Sequence, residues 1–156
     1  MHPHDAQKLA WELLHRHGLA GPGAADGGWR FKFDHARRRF GSCRYRQKLI
    51  TLSRPLTLLN PEQEVRDTLL HEIAHALTPG DGHGARWRHK CIEIGARPHR
   101  CYSDARVVSP PRRPAPYLYG CPACDWWVDR RRRMAPGRFV CARCKGALHY
   151  REKAGK

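Results

Sequence analysis

Ala6, Leu9, Ala10, Leu13 and Leu14 recur at helical spacing, so residues 5–17 are predicted to form an amphipathic helix that Gly18 stops. Small residues from Gly21 to Gly28 follow as a loop. Trp29, Phe31 and Phe33 then alternate with Arg30 and Lys32, the period of a half-buried strand. Two more short strands are expected at Gly41–Tyr45 and Lys48–Ser53, joined by a turn at Arg46-Gln47 into a three-stranded antiparallel sheet. Val65, Leu69, Ile73 and Ala76 restore the helical period. Asn60 reads as the N-cap of that helix, Pro61 as its first residue, Gln63 as a capping-box partner and Thr78-Pro79-Gly80 as its stop. A further helix over 85–94 turns Trp87, Cys91 and Ile94 inward and ends at Gly95. With no βαβ alternation, residues 1–105 are expected to be a compact α+β domain of helices packed on a small sheet.

After Val107 the pattern breaks. The prolines and arginines of residues 106–116 fit neither helix nor sheet and read as an extended, semi-stiff linker. Beyond it, Cys121-Pro122-Ala123-Cys124 and Cys141-Ala142-Arg143-Cys144 stand sixteen residues apart. That is the spacing of a zinc ribbon over residues 117–150, four thiolates closing a structural site with no open position. Trp126-Trp127-Val128 and Arg138-Phe139-Val140 are expected to pair as its hairpin, turning near Pro136-Gly137, and residues 151–156 to form a basic tail. So short a segment has no core without its metal.

Charge changes the picture. The chain of 156 residues carries a formal net charge of +16, of which +10 falls in residues 106–156. Such a segment suits a polyanion, most simply nucleic acid. Arg130, Arg131, Arg132 and Arg133 beside Trp126 and Trp127 combine phosphate neutralisation with faces on which bases stack, so these six are the candidate DNA-binding residues. Tyr117 and Tyr119 add further aromatic faces, and Arg37-Arg38-Arg39 a second basic cluster. There is no signal-like start and no apolar run of membrane-spanning length, and four of the seven cysteines have metal spacing. A cytoplasmic, reducing setting is expected, with Cys43, Cys91 and Cys101 packed as small hydrophobes.

The candidate chemistry lies in His71-Glu72-Ile73-Ala74-His75. Positions i and i+4 of a helix share one face, so both imidazoles can reach one cation, and Glu72 between them can take a proton from water activated there. Gly82-His83-Gly84 offers a third imidazole after a glycine-rich turn, with His89 and Glu93 as alternative third ligands. Tyr45, Tyr102 and several arginines are candidates for an oxyanion donor.

The HExxH helix followed by Gly82-His83-Gly84, the segment from Trp29 to Phe40, Gly41-Ser42-Cys43, the Ile50–Ser53 strand, Asp67–Leu70, the proline-rich joint and the paired Cys-x-x-Cys knuckles together resemble the SprT-like/Spartan family of zinc metalloproteases. The resemblance covers residues 5–150 and implies a zincin-like metalloprotease domain followed by a C-terminal zinc ribbon. It implies that His71, His75 and His83 hold a catalytic zinc, that Glu72 is the general base, and that Cys121, Cys124, Cys141 and Cys144 hold a second, structural zinc. It further implies DNA-dependent proteolysis of proteins bound or crosslinked to DNA. The DNA would be single-stranded or at single/double-strand junctions, and the protease a nucleoid-associated monomer. The competing expectation is a non-catalytic nucleic-acid-binding or regulatory protein whose HExxH helix holds a structural zinc.

Overall fold

The computed structural model describes residues 1–21, 28–100, 106–111, 114–135 and 137–153. Cys101, Tyr102, most of the 21–28 loop, Pro136 and the last three residues of the basic tail lie outside them. The chain divides into two units, Met1–Pro110 and Pro111–Lys156.

In the first unit α1 (Pro3–Arg16) is followed by β1 (Arg30–Asp34), β2 (Gly41–Arg44) and β3 (Leu49–Ser53), then by α2 (Arg54–Leu59), α3 (Glu62–Leu77) and α4 (Ala85–Glu93). The sheet order is β1-β3-β2, with β3 antiparallel to β2 but parallel to β1. The expectation of a wholly antiparallel sheet is thus corrected. The cause is in β3 itself, all five of whose residues are buried, whereas β1 and β2 each expose part of their length. A strand buried on both faces belongs at the centre, so the chain runs from β1 out to the edge at β2 and returns between them. Asp34 Oδ2 accepts from Thr51 Oγ1 at 2.9 Å, and the Thr51 and Ser42 hydroxyls lie 2.8 Å apart, which ties all three strands together.

The core joins Leu9, Leu13 and Leu14 of α1, Ile50 and Leu52 of β3, and Val65, Leu69 and Ile73 of α3. Each such side chain, once fully buried, contributes roughly 1.5–3 kcal/mol, so α3 is fixed along its length against α1 and the sheet. No helix among the described residues is long and apolar enough to cross a membrane.

The start of α3 also differs from expectation. Its N-cap is Pro61, without a side-chain cap. Asn60 instead ends the short helix α2, which the hydrophobic pattern does not reveal and which Ser53 caps by accepting from the Leu56 N–H. Asn60 is 2 % exposed and fully engaged. Its Nδ2 donates to the carbonyls of Leu56 and Val108 at 2.7 and 2.8 Å, and its Oδ1 accepts from the Val108 N–H at 2.7 Å. Val107, beside it, is buried in the core of the first unit.

The second unit is a separate three-stranded sheet in the order β5-β4-β6, built from β4 (Tyr117–Cys121), β5 (Trp126–Arg130) and β6 (His149–Glu152). The expected hairpin is corrected here. Trp126–Val128 does form a strand, but it pairs with β4 rather than with Arg138–Val140, which contributes only an isolated bridge from Val140 to Ala147. Tyr119 is buried and donates from its hydroxyl to the Met134 carbonyl at 3.1 Å, so β4 supplies this sheet with its small core. β6 places Arg151 and Glu152 in the sheet rather than in a tail.

Replacing Asn60 by alanine leaves the Leu56 and Val108 backbone groups without their partner, and we expect Asn60→Ala to lower stability by roughly 2–3 kcal/mol. Denaturant unfolding checks this, and a loss under about 0.5 kcal/mol, the range of an ordinary surface substitution, would contradict it.

Candidate metal centre

His71 and His75 lie in the last two turns of α3, on one face. The helix then stops at Thr78, whose hydroxyl donates back to the Ala74 carbonyl at 2.8 Å. Gly80 and Gly82 take φ values of +81° and +59°, a left-handed conformation that L side chains adopt only with strain. The chain thereby doubles back and presents His83 within eight residues of His75. Asp81 fixes the return, its Oδ2 accepting from the Trp87 N–H at 2.8 Å and so capping α4 in the absence of a side-chain cap from Gly84.

The three imidazoles converge, with ligand nitrogens all within 4.8 Å of one another. His83 Nε2 is 3.2 Å from His75 Nε2 and 3.4 Å from His71 Nε2. Burial, and next the neighbouring rings, lower the pKa of His71 and of His75 to about 4; His83 is also lowered, by burial first and then by Arg100 and Arg88. All three are uncharged at neutral pH, the form in which an imidazole nitrogen can donate its lone pair to a cation. The donor set fits zinc, which favours imidazole nitrogen. Neither alternative third ligand joins it. His89 is exposed, and Glu93 is exposed and paired with Lys90 at 2.6 Å.

Trp87 is the residue that the motif does not announce. It is fully buried, and its ring lies 4.8, 5.2 and 4.6 Å from the rings of His71, His75 and His83, so it packs against all three. Its Nε1 has no hydrogen-bond partner among the described residues. The available signal is its place as the one large apolar side chain in the first turn of α4.

Glu72 is 7 % exposed, and burial raises its carboxyl to about 7, against the opposing pull of Arg39 and a hydrogen bond from the Cys43 N–H. Its room comes from Gly41. A Cβ on Gly41 would stand 2.8 Å from Glu72 Cγ and Oε1 and 2.9 Å from Thr68 Cγ2, closer than packed atoms allow. Burial pushes the Cys43 and Cys91 thiols up to about 12 and about 11, so both stay protonated as packing groups. Of the oxyanion candidates, Tyr45 is exposed and meets the ring of Trp29 edge-on at 5.6 Å.

The second unit brings together Cys121, Cys124, Cys141 and Cys144, again within 4.8 Å. Cys121 and Cys144 sulfurs lie 3.4 Å apart, and those of Cys141 and Cys124 3.9 Å. Asp125 and Lys145, each directly after the second cysteine of its pair, both take positive φ, so the two knuckles share one backbone shape. Four thiols so placed suit a closed zinc site. Trp126 Nε1 donates to Cys141 Sγ at 3.3 Å, and Arg151 lies 4.4 Å over the Trp127 ring. In the arginine run, Arg133 pairs with Glu152 and lies over Tyr117 and Tyr150, while Arg130 and Arg132 are exposed.

The two units are thus a metal-binding α+β domain and a four-cysteine ribbon, each with a donor set that calls for a cation. The SprT-like family model matches residues 11–106, and the chain belongs to that family. The SprT-like protein of Geobacillus kaustophilus is 32 % identical over 92 residues, covering 56 % of this chain and 60 % of that protein. That of Bacillus cereus strain 03BB102 is 28 % identical over 96 residues, covering 59 % and 61 %. The chain therefore spans about three fifths of the length of these curated relatives. The metallopeptidase zymogen abylysin of Pyrococcus abyssi is a distant structural likeness, 19 % identical with a TM-score of 0.45 over 57 % of this chain and 77 % of that one. The three converging imidazoles lie inside the segment that the family model matches.

The pH dependence of the metal-free domain carries the signature of Glu72. A carboxyl raised from its ordinary 4.5 to about 7 is neutral and harmless below 4.5, and destabilises the fold progressively as pH rises from there through 7. Metal-stripped Glu72→Gln should therefore match the wild type near pH 4.5 and exceed it by up to about 3 kcal/mol at pH 8. Thermal melts of both proteins across that range check the sign; a gap that closes with rising pH would refute it.

Proposed function

We propose that this chain is a zinc metalloendopeptidase acting on proteins bound or crosslinked to DNA, with Glu72 as its general base. The observation that carries the reading is the convergence of His71, His75 and His83 beside a carboxylate that the fold buries against its solvation preference. His71, His75 and His83 would hold a zinc ion, which when bound would supply Lewis acidity and lower the pKa of water toward neutrality. Glu72 takes the proton of that water at its carboxylate oxygen and returns it to the departing amine. The Cys43 N–H fixes the orientation of the carboxylate, and Trp87 keeps the imidazoles packed and the site partly dry. A purely structural zinc needs no buried carboxylate next to its ligands, and this favours the enzyme over a non-catalytic binding protein.

In this reading Cys121, Cys124, Cys141 and Cys144 hold a second zinc that shapes the ribbon. The ribbon anchors the protease on DNA through the exposed guanidiniums of Arg130 to Arg133 and the faces of Trp126 and Trp127, favouring single strands or junctions where bases are unstacked. Its support is the +10 charge of residues 106–156. Work on DNA-bound proteins places the enzyme on the nucleoid.

Glu72→Gln should abolish cleavage of a DNA-bound protein while keeping about two zinc ions per chain, whereas His83→Ala should lose about one ion together with activity. Metal analysis beside a cleavage assay decides this, and wild-type cleavage by Glu72→Gln would remove Glu72 from the mechanism. DNA should accelerate cleavage of a DNA-binding protein. Serine at Arg130 to Arg133 should then flatten the salt dependence of single-strand binding by about 0.7 in log–log slope per lost phosphate contact. An unchanged slope would take DNA binding away from this run.

A further inference from the structure

Beside the imidazole cluster the first unit holds an open cleft of about 560 Å³, walled by His83, Trp87 and Arg88 on one side and by Pro98, His99 and Arg100 on the other. We infer that this cleft is a specificity subsite that takes the carboxylate side chain of an aspartate or glutamate close to the scissile peptide bond. The inference rests on the peptidase reading and adds to it the substrate feature that the enzyme selects.

Charge is the first argument. Among the described residues the cleft is lined by two guanidiniums and no carboxylate. Elsewhere in this unit arginines with a structural task are paired: Arg16 with Glu12, Arg39 with Asp34, and Arg97 with both Glu64 and Asp67. Arg88 and Arg100 have no such acidic partner among the described residues. His83 lines the same cleft as both arginines, so an anion there sits beside a ring of the imidazole cluster.

Rigidity is the second. Arg97 donates from its guanidinium to Glu64 at 3.2 and 2.5 Å and from its backbone N–H to Asp67 Oδ1 at 2.8 Å, which pins the wall starting at Pro98 to α3. The opposite wall is α4, held by Trp87 packing on the histidines and by Asp81 at its first turn. A pre-set pair of walls loses little freedom when a ligand enters.

Shape separates a peptide carboxylate from a phosphate. Pro98 gives the cleft an apolar surface that suits the methylene stem of an acidic side chain, and guanidiniums pair with planar carboxylates in a fork. A phosphate backbone needs a continuous basic track, whereas this cleft ends at His83, where the peptide must lie.

The test uses the full zinc-loaded chain with saturating single-stranded DNA. Its substrates are matched peptides that carry aspartate or glutamate, the corresponding amide, or lysine at each of three positions on either side of the cleaved bond. At one position the acidic peptide should be cleaved with a kcat/KM about tenfold above its amide twin. Arg88→Gln and Arg100→Gln should each bring that ratio to about twofold or less, and Arg88→Glu should turn the preference at that position toward lysine. Using a ratio removes any general loss of activity, and zinc content checks folding. A wild-type ratio near one at every position overturns the subsite while leaving the peptidase standing, as does a ratio that survives both glutamine variants. Parallel loss of DNA affinity and of both peptide rates, at constant ratio, overturns it in favour of a phosphate site. Absence of any peptide cleavage by zinc-loaded wild type overturns the peptidase reading, and the subsite with it.

Discussion

Packing by the rest of the fold, more than the contacts among the three histidines themselves, holds them in place. The buried stripe of α3 locks the helix to α1 and to the doubly buried strand β3, which fixes His71 and His75. Trp87 then closes the arrangement from the side of α4, touching all three rings at once. The hydrophobic core therefore pre-organises the site, and a cation arriving there finds its ligands already placed. Sites built on rigid elements hold geometry better than sites on loops, and here only His83 comes from a turn.

The ribbon has the opposite balance. Apart from Tyr119, its buried side chains are chiefly Cys121 and Cys141, and most of its strand residues face solvent. Its surface ion pairs, Arg133 with Glu152 and Lys153 with Asp129, are exposed and contribute little. Metal ligation is the one contribution large enough to fold such a segment. One chain thus contains a unit whose core sets three imidazoles in place and another with little core beyond Tyr119 and its cysteines.

Elements with a strong local period were legible in the sequence: α1, α3 and α4 stand where the apolar stripes put them, and the two histidines, the glutamate and the cysteine pairs lie where their motifs imply. Misreadings arose where a distant partner decides. The parallel pairing of β1 with β3 depends on which strand is central, and alternation within a strand does not carry that. Asn60 has the composition of an N-cap, yet its amide is spent on a segment 48 residues away. In the ribbon, Phe139 and Val140 look like a strand, but both are about half exposed, and the buried Tyr119 of β4 takes the centre. Trp87 was visible as an inward residue of α4; its contact with the metal-site rings follows only from the doubling-back at Gly80 and Gly82.

Gly41 and Glu72 occupy the same space from different elements, a strand edge and a helix. A Cβ at 41 forces the acidic side chain at 72 to shift, so the two positions are not free to drift separately among related chains. A descendant that lost its carboxylate would be released from the restriction, and a methyl or larger group could settle on the strand. Position 41 thereby keeps a record: a residue there other than glycine marks a helix whose carboxylate has gone or has moved from this place, even where both histidines survive.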